Sequence, residues 1–577
     1  MNKTPQYDQK VKTILDATQP GERICAITGD KWMMDEEEIS WYKKFNVPPS
    51  TYSPLTRMRV VTHTFSGGQW WYNKHAETGK PIICGIHPAT GIKVLPDKEW
   101  FEKDFISEAR DYNLNESIVD QLYDLRLAVP SSAYRDYIPS ENSITIASHG
   151  DVNSYFMVAS QSKNSFHSVV AFNTENSSEV YNSVGVQDSY NIIHSDKIHN
   201  GKFIRECREC MNSSFLFDCR NCEKCFGATN KRNKKYLFWN EQLSEEEWNK
   251  RVSEIDLGSR KVMNECREKF DVLVRKAVWP ENFNEKSENC IGDYMTNCKD
   301  CKYIYYGTDG SQNNYWCAWA MERAEGNAFV AEPAASTNTY YSSALEKCYN
   351  CLFCYWVARC QNSEFLIDSL DCDYCFACVG LRKKKYCIFN KQYSEDEYWQ
   401  KVDELKCAML ECGEYGEFLP AKFNPGYPPE CGSVHYYLAP PEFIKQVNSL
   451  EFDPESEGAI GEELINASDV KDVSELPDHA RDLDGWAGAA LYDPAFKRRF
   501  SLLKPEVEFY KKNSIAPPSE HQIERVRKLI MTSNSAVMEE SKCNKCSKEL
   551  IVAVNDVYRE RNIYCKDCYL KYLEQYG

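Results

Sequence analysis

The chain contains one block twice: residues 212–254 begin NSSFLFDCRNCEKCFGATNKRNKKYLFWNEQLSEEEW, and residues 362–404 begin NSEFLIDSLDCDYCFACVGLRKKKYCIFNKQYSEDEYW. The two copies lie 150 residues apart and align without an inserted or deleted residue. The cysteine pair of the first copy recurs in the second as Cys372 and Cys375. Self-similarity of this length indicates architecture more directly than any single motif. The block therefore predicts a duplicated central body.

Short Asn-Ser, Asp-Ser and Asn-Cys pairs recur through both halves of this body. In the first half they begin at residues 153, 164, 176 and 188, which gives spacings of 11, 12 and 12. Asn and Asp tolerate left-handed turns and bond their own backbone. Polar corners at regular spacing, followed by aromatic or β-branched residues, are typical of a β-solenoid. Ordinary hairpins with Asn-rich turns remain the alternative.

The two ends of the chain also resemble each other, at a separation of 468 residues. WYKKFNVPPS at 41–50 matches FYKKNSIAPP at 509–518, and Arg57 falls on Arg525 in the same register. With one gap, Cys84 and His87 fall on Cys543 and Cys546. These matches predict two copies of one terminal module. The first copy lacks a second cysteine pair, so we expect a module that has lost its metal and is filled by Trp100 and Phe101, or else a half-site that borrows Cys25.

Composition divides the chain into successive segments. Ser244 with Glu247, and Ser394 with Glu397, have the spacing of a helical capping box and predict a closing helix for each half. The predicted segments are a flexible leader (1–22), a degenerate ribbon-like module (23–105), a helical connector (106–140), a first Cys-rich half (141–280), a second Cys-rich half (281–412), an acidic Pro-rich connector (413–496) and a C-terminal module with a zinc ribbon (497–577). The predicted fold is mainly β with added helices, a duplicated β-solenoid-like Cys-rich body flanked by zinc-ribbon-like modules.

The cysteine content is the main compositional anomaly, with 27 cysteines in 577 residues. The first residues are polar, and we find neither a signal peptide nor an apolar run long enough to cross a membrane. Reduced thiols that bind metal in the cytoplasm are therefore expected, in place of a secreted disulfide framework. The net charge of −17 argues against a general nucleic-acid binder, although acidic residues concentrate at 451–484.

The C-terminal cysteines give the most specific motif. Two CxxC pairs, separated by eighteen residues, form the four-sulfur set that zinc favours: Cys543, Cys546, Cys565 and Cys568. The residues between them alternate like a ribbon hairpin. Four protein ligands leave no open position, so this predicted zinc is structural.

The central cysteines also carry CxxC spacing, and their interpretation stays open. A zinc site in each half would use Cys207, Cys210, Cys222, Cys225, Cys348, Cys351, Cys372 and Cys375. A ladder of small buried thiols explains the same residues, because a free cysteine behaves as a small hydrophobe. An iron–sulfur cluster is the third interpretation.

Two basic loops follow the duplicated cysteine pairs and are candidates for phosphate or RNA contact. The residues are Lys231, Arg232, Lys234, Lys235, Arg382, Lys383, Lys384 and Lys385. A solvated turn between two elements is the plainer interpretation.

Catalytic motifs are missing from the sequence, which contains no Walker loop, no GxSxG and no HExxH. We therefore expect a non-enzymatic zinc-binding scaffold that docks on an unknown protein or RNA-containing assembly, without a small-molecule substrate or a membrane. The rival hypothesis is a solenoid enzyme that cleaves carbohydrate with paired carboxylates, for which the duplicated Asp218 and Asp368 are candidates. A third hypothesis is metal storage or redox sensing by the central thiols.

Three stretches together carry a resemblance to a known group of proteins: TGDKW…WYKKFNVPP, CFACVGLRKKKYCIFNKQYSEDEYW and CNKCSKEL…YCKDCYLK. They resemble an uncharacterised family of long Cys-rich proteins, predicted chiefly from uncultured small-genome bacteria of the candidate-phyla type. That family places zinc-ribbon-like modules around Asn-Cys and Asn-Ser repeats. The resemblance implies metal binding and a cytoplasmic location, and it implies no reaction. The chain departs from the family pattern in the first module and just before Cys543, where expected cysteines are missing.

Overall fold

The structure is a computed structural model that describes residues 3–66, 68–451 and 470–577. Strands make up 33% and helices 28%, so the protein is mainly β with added helices. The chain forms two compact units. Unit 1 comprises Met1–Ala133, Asn284–Phe452 and Ser535–Met538, and unit 2 comprises Tyr134–Phe283, Asp453–Asn534 and Glu539–Gly577. Each unit thus combines most of one terminal module with one half of the central body.

Each unit is built around one sheet of eleven strands, which we call its body. The body of unit 1 contains the strands Ile291–Met295, Lys302–Gly307, Tyr315–Ala320, Ala328–Ala334, Tyr340–Glu346, Tyr349–Leu352, Tyr355–Ala358, Gln361–Glu364, Asp373–Phe376, Lys385–Ile388 and Lys391–Gln392. The body of unit 2 contains Ile144–Ile146, Tyr155–Lys163, Phe166–Glu175, Ser178–Val184, Val186–Gln187, Tyr190–Ile193, Ile198–Arg205, Met211–Phe217, Phe226–Thr229, Leu237–Phe238 and Glu241–Gln242.

Strand pairing within each body is parallel and advances by a nearly constant number of residues. In unit 2, Phe166 pairs with Ser178, and Tyr190 pairs with Lys202, so the step is twelve residues. In unit 1 the step is thirteen between Tyr315 and Ala328 and then twelve. Only the last strand of each body turns back to pair antiparallel. Stacked parallel strands satisfy one another's backbone groups along the whole body.

The backbone of each body adopts a positive φ at every third residue over long stretches. Between residues 194 and 239 the left-handed positions are His194, Lys197, Asn200, Phe203, Glu206, Glu209, Asn212, Phe215, Asp218, Asn221, Lys224, Gly227, Asn230, Asn233, Tyr236 and Trp239. A left-handed conformation costs a non-glycine residue roughly 1–2 kcal/mol. The backbone hydrogen bonds between neighbouring strands fix these corners and must offset that cost.

The residue that follows each corner points into the body and is buried. From residue 195 to 228 these inward positions hold Ser195, Ile198, Gly201, Ile204, Cys207, Cys210, Ser213, Leu216, Cys219, Cys222, Cys225 and Ala228. Corners three residues apart leave little room inside, so serine, cysteine, alanine and unbranched or β-branched apolar side chains fill the core. In the sequence of the body, the inward-facing residues therefore recur at every third position, which they do not do in ordinary strands.

Helices and short sheets complete the units. Unit 1 has the helices Pro5–Ala17, Glu36–Phe45, Pro54–His63, Asp97–Glu102, Ile118–Ala128, Glu395–Glu411, Gly432–His435 and Pro441–Gln446. Its short strands are Gly21–Ile24, Lys31–Met34, Trp71–Lys74, Pro81–Cys84, Val94–Leu95 and Ser131–Ser132. Unit 2 has the helices Glu245–Ser253, Arg260–Lys276, Lys504–Asn513, Gln522–Met531 and Lys566–Tyr576. Its short strands include Val278–Pro280, Lys471–Asp472, Leu491–Asp493, Arg498–Phe500, Glu549–Ala553 and Asn562–Tyr564, and the strand Met538–Lys542 pairs with Glu549–Ala553.

The closing helices begin close to the predicted caps. Ser394 and Glu397 form the full capping box at the start of Glu395–Glu411. Ser244 accepts a hydrogen bond from the backbone N–H of Glu247 and so caps Glu245–Ser253. None of the helices in the described part of the chain is both long and apolar enough to cross a membrane.

Two sequence-based predictions of loose segments are wrong. Residues 1–22 were expected to be a flexible leader, but Pro5–Ala17 is a helix that buries Tyr7 and Val11 completely. The apolar side chains four residues apart form a narrow stripe that the polar composition conceals. The expected connector at 413–496 also has structure in its described parts, where Phe423 and Leu491 are fully buried. Residues 452–469, the centre of that prediction, lie outside the described residues.

A buried charged cluster joins the C-terminal module to the body of unit 2. The Glu506 carboxylate accepts hydrogen bonds from Tyr510 (2.7 Å) and Arg525 (3.3 Å) and lies 3.1 Å from a ring nitrogen of His167. Arg525 also forms an ion pair of 2.6 Å with Glu179 of the body. Burial of two acids, one guanidinium and one imidazole is tolerable because each group has a partner of the opposite kind within the cluster.

Unit 1 contains the same cluster 468 residues earlier. Glu38 accepts hydrogen bonds from Tyr42 (2.6 Å) and from Arg57. The body residue that meets the guanidinium differs: Arg57 stacks on the ring of Phe329, 3.5 Å from its centroid. The match of Arg57 with Arg525 thus identified a real structural position, whereas the acids Glu38 and Glu506 were missed, because an acid at a helix start is usually exposed.

We expect Gly227→Ala to destabilise unit 2 by roughly 2–4 kcal/mol. Gly227 has a φ of 70°, and a Cβ there would lie 2.2 Å from the Trp239 ring. Gly485→Ala is the matched control, because Gly485 has a φ of 82° but open space around it, so it should cost only about 1 kcal/mol. Urea unfolding measures both, and equal losses would show that the Trp239 contact is unimportant.

We also expect Glu506→Gln to lower the unfolding free energy by roughly 3 kcal/mol at pH 7, because it removes from a buried site the carboxylate that faces His167 and one of the two carboxylates that face Arg525. Burial acts to raise the pKa of Glu506, but His167 and Arg525 outweigh it and lower the pKa from 4.5 to about 2. This stabilisation is complete above about pH 4.5 and is lost as the pH falls through 2.

The pH dependence gives this prediction its control. The difference between wild type and Glu506→Gln should shrink as unfolding is measured from pH 5 down toward pH 2, and the exposed Glu508→Gln on the same helix should stay close to wild type throughout. A loss that is constant over this range would contradict an ionised Glu506 as the source of the stabilisation.

Candidate metal centre

The first cysteine pair of the C-terminal module lies on a tight turn between two strands. The backbone N–H of Cys543 donates to the carbonyl of Lys548 (2.9 Å), and that of Ser547 donates to the carbonyl of Cys543 (2.8 Å). Ser547 has a φ of 62°, so the turn closes through a left-handed residue. The turn carries Cys543 and Cys546 together.

The second pair lies at the start of the last helix. Cys565 is the N-cap of Lys566–Tyr576, and Cys568 is in its first turn. The residues between the two pairs do not form the expected ribbon hairpin. After Glu549–Ala553 the chain continues to the strand Asn562–Tyr564, which pairs in parallel with Val278–Pro280. The alternating residues predicted a local hairpin, but the last of these strands pairs with a strand that is distant in the sequence.

The four sulfurs converge. All four lie within 4.8 Å of one another, and within the residues that the structure describes they are the one such group of three or more His, Cys, Asp or Glu side chains. Cys546 and Cys565 approach to 3.7 Å between their sulfurs. Cys543 and Cys565 are buried, whereas Cys546 is exposed and Cys568 half-buried. This arrangement could hold one metal ion.

The local backbone favours thiolate at Cys543. Burial acts to raise the pKa of Cys543, but backbone N–H groups of Cys565, Cys546 and Lys545 outweigh it and lower the pKa to about 6. The Cys565 N–H lies 3.3 Å from the Cys543 sulfur. Burial and the neighbouring thiols raise the pKa of Cys565 and raise that of Cys568 to about 12. Thiolate is the form that binds a metal, so metal binding at this site must release protons from the second pair.

The N-terminal module keeps the turn without its thiols. His75 donates its backbone N–H to Lys80 (2.8 Å), and Gly79 donates to His75 (3.0 Å), as in the Cys543 turn. The two turns are 468 residues apart, so no gap is needed, and His75 and Thr78 occupy the places of Cys543 and Cys546. A buried Trp100 occupies the place of Cys568. The predicted correspondence of Cys84 and His87 with the C-terminal pair is therefore wrong in register.

The half-site residues of that module have other neighbours. The His75 ring lies 3.1 Å from the Glu99 carboxylate. The Cys84 thiol donates to the Ile86 carbonyl (3.5 Å), and the Cys25 thiol to the Thr56 hydroxyl (3.4 Å). These contacts do not bring Cys25 together with Cys84. Phe101, which was expected to fill the module beside Trp100, is 43% exposed.

The central CxxC spacing has a different physical origin. Because every third residue of the body points inward, Cys207 and Cys210 are simply consecutive inward positions, as are Cys222 and Cys225. The same holds in unit 1 for the predicted ligands Cys348, Cys351, Cys372 and Cys375. A three-residue spacing here follows from the backbone and gives no independent indication of metal. The predicted central metal sites stay a prediction.

Cysteine and serine exchange roles in these inward rows. Ser195 donates its hydroxyl to the carbonyl two residues earlier (2.7 Å) and accepts the backbone N–H of Cys207 (2.9 Å). Cys207 does the same one step later, donating to Arg205 (3.1 Å) and accepting from Cys219 (3.2 Å). A thiol and a hydroxyl thus fill equivalent places in one hydrogen-bonded ladder.

The predicted phosphate-binding loops are largely occupied by contacts within their own units. Ion pairs join Arg232 to Asp218, Lys235 to Glu223, Lys384 to Asp104 and Lys385 to Asp373, at 2.7–3.2 Å. Lys231 donates to the carbonyl of Tyr576, and Arg382 stacks 3.9 Å from the Trp100 ring. Lys234 is half-buried and Lys383 is exposed.

Asp218 and Asp368 are buried structural acids. Each carboxylate is only 2% exposed. Asp218 pairs with Arg232 at 3.0 Å, and Asp368 pairs with Arg126 at 2.9 Å. A glycosidase needs carboxylates that reach the substrate from a groove, and these two do not.

Comparisons with known proteins give no match to this chain among family models, curated proteins or solved structures.

We expect thiol reactivity to separate the solvent-exposed cysteines from the cysteines that are buried in the bodies. Outside the C-terminal cluster, an alkylating reagent should modify in native protein the exposed Cys412 first and the half-buried Cys290 next, whereas Cys219 and Cys360, buried in the bodies, should react only after denaturation. Burial raises the pKa of both body thiols and so suppresses the reactive thiolate. Mass spectrometry of timed alkylation gives the order, and rapid native labelling of Cys219 would contradict a closed body.

Proposed function

We propose that the protein is a zinc-binding structural scaffold with no catalytic activity of its own. The observation that carries the proposal is the convergence of four cysteine sulfurs within 4.8 Å in the C-terminal module. Zinc is the metal that four thiolates favour, since softness and tetrahedral geometry both suit it. With four protein ligands it would have no open position for a substrate, so its role would be structural.

The zinc would join the turn and the last helix of the C-terminal module. Its turn, its last strand and its last helix each contribute sulfur ligands or their immediate neighbours, and Cys546 and the helix surface are solvent-exposed. Structural zinc contributes on the order of 10–16 kcal/mol to the folding of small zinc-finger peptides. In the N-terminal module a buried Trp100 and the His75–Glu99 pair serve the same closing role.

As part of the same proposal, the two bodies are β-solenoids. Parallel strands at a twelve-residue step and corners at every third residue support this interpretation. Solenoids present long regular surfaces and frequently serve as binding platforms. The proposal also includes membership of the Cys-rich family that the sequence resembles, a cytoplasmic location, and a partner that is a protein or an RNA-containing assembly. The free state of all cysteines is consistent with a reducing compartment.

The rival functions receive less support. A carbohydrate-cleaving enzyme loses its candidate acids, because Asp218 and Asp368 are buried in ion pairs. Redox sensing by the central thiols would need solvent-reachable thiolates. The body cysteines of both units are buried and bonded to backbone carbonyls, as Cys207 and Cys348 illustrate. A structural role for these thiols is the interpretation that their contacts favour.

Metal analysis tests the proposal directly. We expect purified protein to contain about one zinc per chain, as four thiolates form one tetrahedral site. Cys546→Ser should abolish that zinc and make the C-terminal module sensitive to proteolysis, because it removes one of four ligands. Cys412→Ser is the matched control, since Cys412 is also exposed but lies on no cysteine cluster.

The outcomes are distinct. Elemental analysis by mass spectrometry, with limited proteolysis alongside, should show loss of zinc in Cys546→Ser and full zinc in Cys412→Ser. Fewer than one zinc in the wild type, or unchanged zinc in Cys546→Ser, would refute the C-terminal site. Zinc well above one per chain that survives Cys546→Ser would move the function to the central cysteines.

A further inference from the structure

A basic cavity in unit 2 lies apart from every cysteine cluster. Its volume is about 110 Å³, and it is formed where the first turns of the helix Arg260–Lys276 face the body and the helix Gln522–Met531. Its floor includes the buried residues Tyr190 and Arg525, and its rim includes the exposed residues Arg267 and Lys528. None of the predicted site residues lines it.

Positive charge in this cavity exceeds negative charge. Five cations line it, namely Arg205, Arg260, Arg267, Arg525 and Lys528, against two acids, Glu179 and Glu520. Both acids are already used: Glu179 pairs with Arg525 (2.6 Å), and Glu520 pairs with Lys528 (2.7 Å).

The other three arginines form no ion pair with the described residues. Within the described residues, Arg205 donates to the Tyr558 hydroxyl (2.5 Å), Arg260 donates to the Pro477 carbonyl (3.0 Å), and Arg267 lies 5.8 Å from the Phe203 ring, but none of the three forms an ion pair. Burial lowers the pKa of Arg260, although Asp478 acts to raise it. Three cations that share one small cavity repel one another unless an anion joins them.

The helix Arg260–Lys276 supplies two of these three arginines. Arg260, Asn264 and Arg267 are spaced so that they share one face of it. The N-terminus of the helix is capped by the Asp478 carboxylate, which accepts the backbone N–H of Lys261 (3.2 Å). The positive charge of the cavity therefore comes from its side chains.

We propose that this cavity binds a phosphate group, free or as a small phosphomonoester. A cavity of this volume has room for several waters and so for one phosphate group. Guanidinium groups match phosphate oxygens with paired N–H donors, and the exposed Arg267 at the rim forms no ion pair with the described residues. Lys528 lies beside it at the rim, paired with Glu520, and the buried Arg525 pairs with Glu179 at the floor. The proposal is independent of the zinc site.

Calorimetric titration of the full chain tests it. Inorganic phosphate is titrated at constant ionic strength set with chloride, and glycerol phosphate is titrated in parallel. We expect saturable binding at one site, and Arg267→Ala combined with Lys528→Ala should weaken it by at least about tenfold, or about 1.4 kcal/mol. Lys276→Ala is the matched control, because Lys276 is exposed on the same helix but lies outside the cavity.

Each result decides the matter. Tighter binding of glycerol phosphate than of phosphate assigns the site to a monoester, and the reverse assigns it to the free ion. Absence of saturable binding, or equal weakening by Lys276→Ala and by the double variant, overturns the proposal. Arg267→Lys guards against a folding defect: it keeps the charge and should bind phosphate more weakly than wild type but more tightly than the double variant.

Discussion

Both bodies depend on a backbone that turns left-handed at every third residue. Such a path is costly for Phe203, Lys224 or Tyr236, which are not residues that favour positive φ. It persists because each strand bonds the strand twelve residues on, so that many corners are held at once. The same geometry decides the core. Only small or compact side chains fit behind corners this close, and serine and cysteine also satisfy the backbone groups left inside.

In each unit, a buried cluster of a glutamate, a tyrosine and an arginine connects the terminal module to the body. Within unit 2, Glu506 and Tyr510 hold Arg525 against Glu179 of the body. Within unit 1, Glu38 and Tyr42 hold Arg57 against Phe329. A single change in the body residue, from acid to aromatic, converts an ion pair into a stacked cation. In unit 2 the Glu179 carboxylate is already paired with Arg525, which lines the nearby basic cavity.

Identical CxxC spacing arises here from two unrelated causes. In the C-terminal module the spacing belongs to a left-handed turn and a helix start, and it brings four sulfurs together. In the bodies it reflects the three-residue period of inward positions, and each thiol bonds a carbonyl of its own strand. Spacing alone cannot separate the two cases, because both place a side chain on the same side of the chain after three residues. The backbone hydrogen bonds do separate them.

The sequence by itself determined the duplicated block, the related ends, the closing helices and the four C-terminal cysteines, because each depends on local spacing or on direct self-similarity. It could not determine the three-residue period of φ, since Phe, Lys and Glu occupy corners that local propensity assigns only to Asn, Asp and Gly. It also missed the helix at Pro5–Ala17, where the Tyr7 N–H donates to Asp403, and the acids Glu38 and Glu506, which are paired inside the fold with Arg57 and Arg525. Tertiary structure decided these features, because long-range hydrogen bonds and buried charges outweigh the local preferences that a sequence displays.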